Sequence, residues 1–268
     1  MKKRNKISVN PNETPEPINH HFVSADGKNW TKKPGRILMK VVGRDEEDVD
    51  DNISKVFENI FTHISEPGNS DLSTKIHDCK HKMYAVRYHK LAIENEVEKQ
   101  VKQFKKGFKP VAGAQFEKEN FSLIYNTEAL LFQVKSNLDI LIQALGMIIP
   151  PIKSFRTYRH SGQGKDYISG GKVIKKLEQE NYIDLAVLFK KNNTEWIQEL
   201  VKMRDNITHY SRLKGFNCFV EDPYLGKEKV DIEFPKMPNG IYLTDYCDMI
   251  YKNLLKLYAD VFSLIYSN

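Results

Sequence analysis

Two long stretches of helical periodicity constrain the fold of this chain more than any other feature. Residues 73–106 contain no glycine or proline, and their apolar residues recur at steps of three, four or seven. Residues 116–148 carry a second continuous apolar stripe, which Pro150 and Pro151 terminate. Antiparallel helices of about 30 residues define an elongated bundle. We therefore predict an all-α protein, an elongated antiparallel helical bundle.

The shorter elements complete this bundle. Further helices are predicted over residues 52–64, 172–179, 182–191 and 244–266, and another begins with Thr194 as its N-cap. The apolar stripe of that helix consists of Trp196, Leu200, Met203, Ile207 and Tyr210. Residues 214–243 are punctuated by glycine and proline around two β-prone pieces, Phe216–Val220 and Lys229–Phe234. We expect a small β-hairpin-like insertion before the last helix.

The positive charge is concentrated at the N-terminus. Residues 1–36 contain eight Lys or Arg against three Asp or Glu, and so carry most of the net charge of +6. Their prolines and polar residues predict a flexible basic tail. We expect residues 37–70 to be an N-terminal extension with one short helix, and residues 71–268 to be the helical domain. The tail suits non-specific contact with polyanions, whereas the charge of the remainder does not indicate a nucleic-acid binder.

Composition also narrows the class of protein. No apolar run approaches the roughly 20 residues that span a bilayer, and no secretory signal is recognisable. The three cysteines are far apart and lack metal-ligand spacing, which indicates reduced thiols in or near the core of a cytoplasmic protein. His77 and His81 are four residues apart but have no third ligand in register. We therefore expect no membrane association, no metal and no cofactor.

The segment with the most chemical content is Arg204-Asp205-Asn206-Ile207-Thr208-His209. Arginine is a permanent cation whose forked donors suit phosphate oxygens. Histidine takes and gives protons near neutral pH. Two such groups at one phosphodiester are sufficient for metal-free RNA cleavage. One drives the ribose 2′-OH onto the phosphorus, and the other neutralises the charge that develops on the oxygens.

The spacing of this motif bears on how a site is assembled. Arg204 and His209 lie about 140° apart on a straight helix, so one copy cannot enclose a phosphate from both sides. Asp205 and His209 are i, i+4 neighbours, so the carboxylate can orient the imidazole. A two-fold dimer that crosses two motif helices would bring two arginines and two histidines into one groove. We therefore expect a homodimer with the motif in its interface.

The motif resembles the Arg-x4–6-His signature of the HEPN superfamily, in which a polar residue, here Asp205, commonly follows the arginine. The resemblance covers about residues 73–268, through two long helices, a later motif helix and a final helix. It implies a metal-independent endoribonuclease of the toxin or antiphage-defence type, with a composite site at a dimer interface. By this resemblance His209 is the general acid/base, Arg204 the phosphate-stabilising cation and Asp205 the residue that tunes both.

A glycine-rich basic loop, residues 152–172, is a second candidate for contact with nucleic acid. Its cations alternate with Phe155, Tyr158 and Tyr167, a combination that can grip single-stranded RNA by phosphate pairing and base stacking. The candidate RNA-binding residues are Lys153, Arg156, Arg159, His160 and Lys165. An ordinary connecting loop fits these residues at least as well.

A non-catalytic function also fits the sequence. In this alternative the same fold is a helical dimer module that binds RNA, a nucleotide or a partner protein. Arg204 and Asp205 then form a structural salt bridge, and the loop at 152–172 is the binding surface. An antitoxin or another regulatory partner is compatible with either interpretation.

Overall fold

Seven α-helices with three short strands make up the described part of the chain. The structure, a computed structural model, describes residues 50–64, 70–107, 115–118, 120–163, 166–209, 216–220 and 230–266. The helices are α1 (Asp51–Ile64), α2 (Ser70–Gly107), α3 (Phe121–Ile148), α4 (Gly171–Gln179), α5 (Ile183–Asn192), α6 (Gln198–His209) and α7 (Leu243–Tyr266). The strands are β1 (Gln115–Lys118), β2 (Phe216–Val220) and β3 (Val230–Glu233). The predicted tail, residues 1–36, lies outside the described residues.

The two long helices, α2 and α3, pack together and run antiparallel. Lys82 Nζ donates to Gln133 Oε1 at 3.2 Å. Further along α2, Glu96 Oε1 accepts from Asn120 Nδ2 at 2.9 Å. The partners on α3 fall in number as those on α2 rise, so the helices point in opposite directions. Their apolar stripes are buried in the core, and the predicted all-α helical bundle is confirmed.

Helix α1 is joined to α2 and α7 through the residue that caps it. Asp50 Oδ1 accepts from the backbone N–H groups of Asn52 and Ile53, as an N-cap does. Its other oxygen, Oδ2, accepts from Arg87 Nε on α2 at 3.0 Å. Burial raises the pKa of Asp50, but the hydrogen bond from Ile53 N–H, the nearby Tyr251 hydroxyl of α7 and the charge of Arg87 lower it below its ordinary value. We call Asp50, Arg87 and Tyr251 the helix junction.

The core also contains polar side chains and thiols, and one polar pair joins two helices. The Tyr258 hydroxyl of α7 donates to Asn137 Oδ1 of α3 at 3.0 Å in a fully buried contact. Cys79 and Cys247 are buried free thiols, and burial raises the pKa of each to about 12. None of the described helices combines the length and apolarity needed to cross a bilayer.

The prediction that the second long helix starts near residue 116 was wrong. Residues 115–118 are strand β1, and α3 begins at Phe121 because Asn120 caps it: its Oδ1 accepts from Leu123 N at 3.2 Å. The expected hairpin before α7 is present as antiparallel β2 and β3. Strand β1 pairs antiparallel with the other edge of β2, with Gln115 opposite Phe219, so the sheet order is β1-β2-β3.

The predicted N-cap at Thr194 was also wrong, because the helix does not stop there. A π-helical segment, Asn193–Ile197, joins α5 directly to α6. The polar side chains that suggested a helix break form hydrogen bonds within the helix instead. Thr194 Oγ1 donates to the Lys190 carbonyl at 3.1 Å, and Asn192 Oδ1 accepts from Trp196 Nε1 at 2.8 Å. Burial of Trp196 in the core favours the continuous helix over a capped one.

Candidate functional site

The motif helix α6 buries one stripe and leaves Arg204 and Asp205 at the surface. The residues of the predicted stripe that the structure describes, Trp196, Leu200, Met203 and Ile207, are all buried, and Ile197 and Val201 are buried beside them. The steps of three and four residues within the stripe place its members on one face of the helix. Arg204 and Asp205 lie off that stripe and are partly exposed. Tyr210, the last residue of the predicted stripe, lies outside the described residues.

Arg204 is held by its neighbour along the chain and by an aromatic ring. Its Nε and Nη2 both donate to Asp205 Oδ1, at 3.1 and 2.7 Å. Its guanidinium carbon lies 5.9 Å from the centre of the Phe132 ring on α3, a distance at which a cation is attracted to the ring face. His209 is the last residue of α6, and its side chain lies outside the described part. The predicted contact between Asp205 and His209 therefore stays a prediction.

The basic loop is fastened to one face of α3. Tyr158 N donates to Asp139 Oδ1 at 2.7 Å, and Gln143 Nε2 donates to the Arg156 carbonyl at 2.8 Å. Positions 132, 139 and 143 are spaced by seven and four, so Phe132 shares the face that holds the loop. The loop and Arg204 thus lie along the same side of α3.

The loop is also fastened to the motif helix, through Gln198. Its Oε1 accepts from Ser169 N and its Nε2 donates to the Tyr167 carbonyl, each at 2.8 Å. The Tyr167 phenol lies close enough to Arg204 and Asp205 for their charges to affect its pKa. Burial raises the pKa of Tyr167, the negative charge of Asp205 raises it further, and Arg204 opposes both. The structure therefore brings together two segments that the sequence offered as separate candidates.

The candidate RNA-binding residues of the loop are at the surface where the structure describes them. Lys153, Arg156, Arg159 and His160 are exposed, and none of them forms an ion pair with another described residue. His160 stacks on the Tyr167 ring, with the ring centres 4.8 Å apart. Lys165 lies outside the described residues.

Two of the three aromatic residues that were expected to stack on RNA bases pack against the core instead. Tyr158 is buried against Phe189 in the core, with ring centres 5.8 Å apart, so it has no face to offer to a base. The close approach of Gly170 to the Tyr158 ring leaves no room for a side chain there. Phe155 is partly buried against the same core. Tyr167 alone of the three stands next to the motif.

An aromatic strip on α3 is a feature that the sequence reasoning missed. Phe121, Tyr125 and Phe132 are 58%, 63% and 49% exposed. Their spacing of four and seven places them on one face of α3, the face that carries the loop further along. We call these three residues the aromatic strip. A helical projection of residues 121–148 would have found it, because large apolar residues lie opposite the buried stripe.

No protein-family model matches the chain, and neither a curated protein nor a solved structure resembles it closely enough to count as a match. Among the described residues, no group of three or more His, Cys, Asp and Glu is arranged to hold a metal ion.

Proposed function

We propose that this protein is a metal-independent endoribonuclease of the toxin or antiphage-defence type, with Arg204 and His209 as its reactive pair. The observation that carries the proposal is the position of Arg204. It lies where the motif helix, the basic loop and the aromatic strip meet. A cation at such a meeting point can receive a phosphate of an RNA strand whose neighbouring groups contact the loop.

The proposed reaction uses the ribose 2′-OH as the nucleophile. His209 removes the 2′-OH proton while the 2′-oxygen bonds to phosphorus, and the bond from phosphorus to the 5′-oxygen breaks. A histidine, in the dimer the second copy's His209, gives a proton to the leaving 5′-oxygen. The products are a 2′,3′-cyclic phosphate, which water can open to a 3′-phosphate, and a 5′-hydroxyl. Arg204 neutralises the charge that develops on the non-bridging oxygens.

Asp205 suits the role of a holder that an anion can displace. It engages Arg204 through a single oxygen, and the pair is partly exposed. A phosphate offers the guanidinium two oxygens in the geometry of its fork, and so competes well with one carboxylate oxygen. Asp205 thereby keeps Arg204 oriented in the free protein, and the substrate phosphate displaces it when RNA binds.

The aromatic strip favours a dimer that contains the motif. Exposed apolar patches of this kind on a monomer commonly mark an interface. Phe132 belongs both to the strip and to the surroundings of Arg204, so a second copy that covers the strip about a two-fold axis brings a second Arg204 close to the first.

Cleavage of a labelled single-stranded RNA in EDTA tests the reaction. The wild type should produce 2′,3′-cyclic phosphate ends, and His209→Ala and Arg204→Ala should each lower the rate by roughly 100-fold or more. Lys202→Ala is the matched control for Arg204, because Lys202 is an exposed cation of α6 without an ion pair to any described residue. His81→Ala, at an exposed histidine of α2, is the control for His209. Unchanged cleavage by both motif variants would refute the proposal.

Sedimentation of Tyr125→Asp tests the dimer. This variant should shift the protein towards monomer and lower activity, whereas Tyr88→Asp, at an exposed tyrosine of α2, should do neither. Mixed dimers of wild type and His209→Ala should lose more activity than the dilution of wild-type sites predicts. A monomer with full activity at micromolar concentration would exclude the composite site.

The Arg204–Asp205 pair also suits the non-catalytic alternative, in which it is a structural salt bridge. RNA binding without cleavage would favour this dimer module, if Arg156→Ala and Arg159→Ala weaken the binding and His209→Ala leaves it unchanged.

A further inference from the structure

A groove of about 720 Å³ lies beside the motif helix, on the side of the basic loop. The end of the loop and α4 form one wall, and α5 with the π segment forms the other. Tyr167, Ile168 and Ile174 supply apolar surface, and Asn193 and Lys175 supply polar groups. This volume lies in the range of pockets that enclose small organic molecules.

Asn193 is an unusual residue in the wall of this groove. It opens the π segment, its exposed fraction is 7%, and its side-chain oxygen Oδ1 has no hydrogen-bond partner among the described residues. Buried amides normally have partners, because an unmade hydrogen bond costs free energy. Single π-helical turns are uncommon and recur at functional sites. The residue lines the groove, so its unsatisfied oxygen would gain a partner if the side chain turned towards a ligand donor there.

The charged residues around the groove indicate the other end of such a ligand. Lys175 is exposed and forms no ion pair with another described residue. Lys190, on the opposite wall, is paired with Glu178. One cation is therefore available for an anion, while the second is neutralised. Apolar and aromatic walls, an amide that can read a polar edge and one available cation together match a nucleobase with an attached phosphate.

Two residues, Tyr167 and Gln198, connect the groove to the surroundings of Arg204. Tyr167 lines the groove, and its phenol responds to the charges of Asp205 and Arg204. Gln198 also lines the groove, and both ends of its amide hold the loop. A nucleotide in the groove would thus contact the segment that stands next to Arg204.

We infer that the groove is a subsite for one unpaired nucleotide of an RNA strand, held by Asn193 and Lys175 near the phosphate that Arg204 receives. This inference rests on the proposed function and adds a place where base identity is read. The contacts come from an amide and an apolar wall, so a preference among the four bases is expected.

Calorimetric titration of the His209→Ala protein with the four 5′-mononucleotides tests the subsite without cleavage. At least one should bind, and inorganic phosphate should bind roughly tenfold more weakly, because it lacks a base. Asn193→Leu should weaken binding about tenfold without lowering the melting temperature, since it removes a buried oxygen that has no partner. Lys175→Ala should weaken binding, and Lys172→Ala, an exposed lysine of the same helix outside the groove, should not.

Cleavage kinetics separate this inference from the proposed function. If both hold, Asn193→Leu and Lys175→Ala raise KM for single-stranded RNA while kcat changes little. If the wild type cleaves RNA but no mononucleotide binds and neither variant alters KM, the subsite is wrong and the ribonuclease stands. If mononucleotides bind in the expected manner but the wild type cleaves no RNA, the ribonuclease fails and the groove remains a nucleotide site.

Discussion

Arg87 pairs with an aspartate 37 positions away, whereas Arg204 pairs with its immediate neighbour. The side chains of Arg87 and Asp50 are 18% and 15% exposed, and those of Arg204 and Asp205 are 24% and 48% exposed. The first pair joins α2 to the start of α1. Arg204 and Asp205 are consecutive residues of α6, so their ion pair joins no two elements of the fold.

The two regions obtain their stability from different interactions. The helix junction depends on charges that are partly removed from water, so the loss of one partner leaves the other poorly solvated. The region around the motif depends on steric fit and on backbone hydrogen bonds to Asp139 and Gln198. Arg204 is therefore available for a function, because its ion pair joins no two elements and its contact with Phe132 on α3 is partly exposed.

The greatest loss of stability should come from disturbing the steric fit under the loop. Gly170 has φ +70°, and a Cβ there would lie 2.0 Å from the Tyr158 ring. Gly170→Ala should lower the free energy of unfolding by about 3 kcal/mol, from backbone strain plus overpacking. Gly240 is the matched control, because its φ is +86° but a Cβ would meet nothing within 4 Å. Gly240→Ala should cost about 1 kcal/mol in denaturant unfolding, and equal costs would mean that the Tyr158 contact is unimportant.

The next largest effect is a difference in stability between substitutions of Arg87 and Arg204. Arg87→Met should lower the free energy of unfolding by about 2 kcal/mol, less than the loss of a fully buried pair because this one keeps some contact with water. Arg204→Met should change it by less than about 0.5 kcal/mol. Chemical denaturation of both variants measures the contrast. A larger loss at Arg204 would show that the motif pair is structural.

Lowering the pH should weaken the stabilising contribution of the helix junction. The pKa of Asp50 is lowered in the folded protein, so its charge contributes stability above the unfolded-state pKa of about 3.9, and that stability is lost as pH falls through the folded value. Asp50→Asn keeps the capacity to cap α1 and removes the charge. Between pH 6 and pH 3 the variant should lose less of its free energy of unfolding than the wild type does, as measured by denaturant unfolding at each pH. The pKa values of Glu96 and Asp248 are also lowered, so part of the slope should remain.

The smallest effect on stability is expected at Asp205. Asp205→Asn should change the free energy of unfolding by less than about 0.5 kcal/mol. It should raise the affinity for sulfate or phosphate severalfold, because Arg204 loses a competing anion. Asp184→Asn, at an exposed aspartate of α5 without an ion pair to any described residue, is the control for a general change of charge. Equal anion affinity in all three proteins would contradict the role of Asp205 as a displaceable holder.

The helices and the class of fold could be predicted from the sequence. The stripes that predicted α2, α3, α6 and α7 are periodic over short distances, and burial of such a stripe is a local property of a helix. The hairpin of β2 and β3 followed from glycine and proline at its ends. The exposure of Arg204 was also foreseeable, since it stands off the stripe of Leu200, Met203 and Ile207.

Three other features depend on contacts between distant parts of the chain, and the periodicity could not predict them. Strand β1 exists because β2 offers it an edge about 100 residues away along the chain, and no local pattern records that pairing. Asn192 and Thr194 suggested a helix break, but Trp196 is buried and the helix continues through a π segment instead. The loop came to lie beside Arg204 through Gln198 and Asp139, polar residues whose partners are 19 to 31 positions distant. Such contacts depend on which helix faces which, and that is fixed only when the whole core packs.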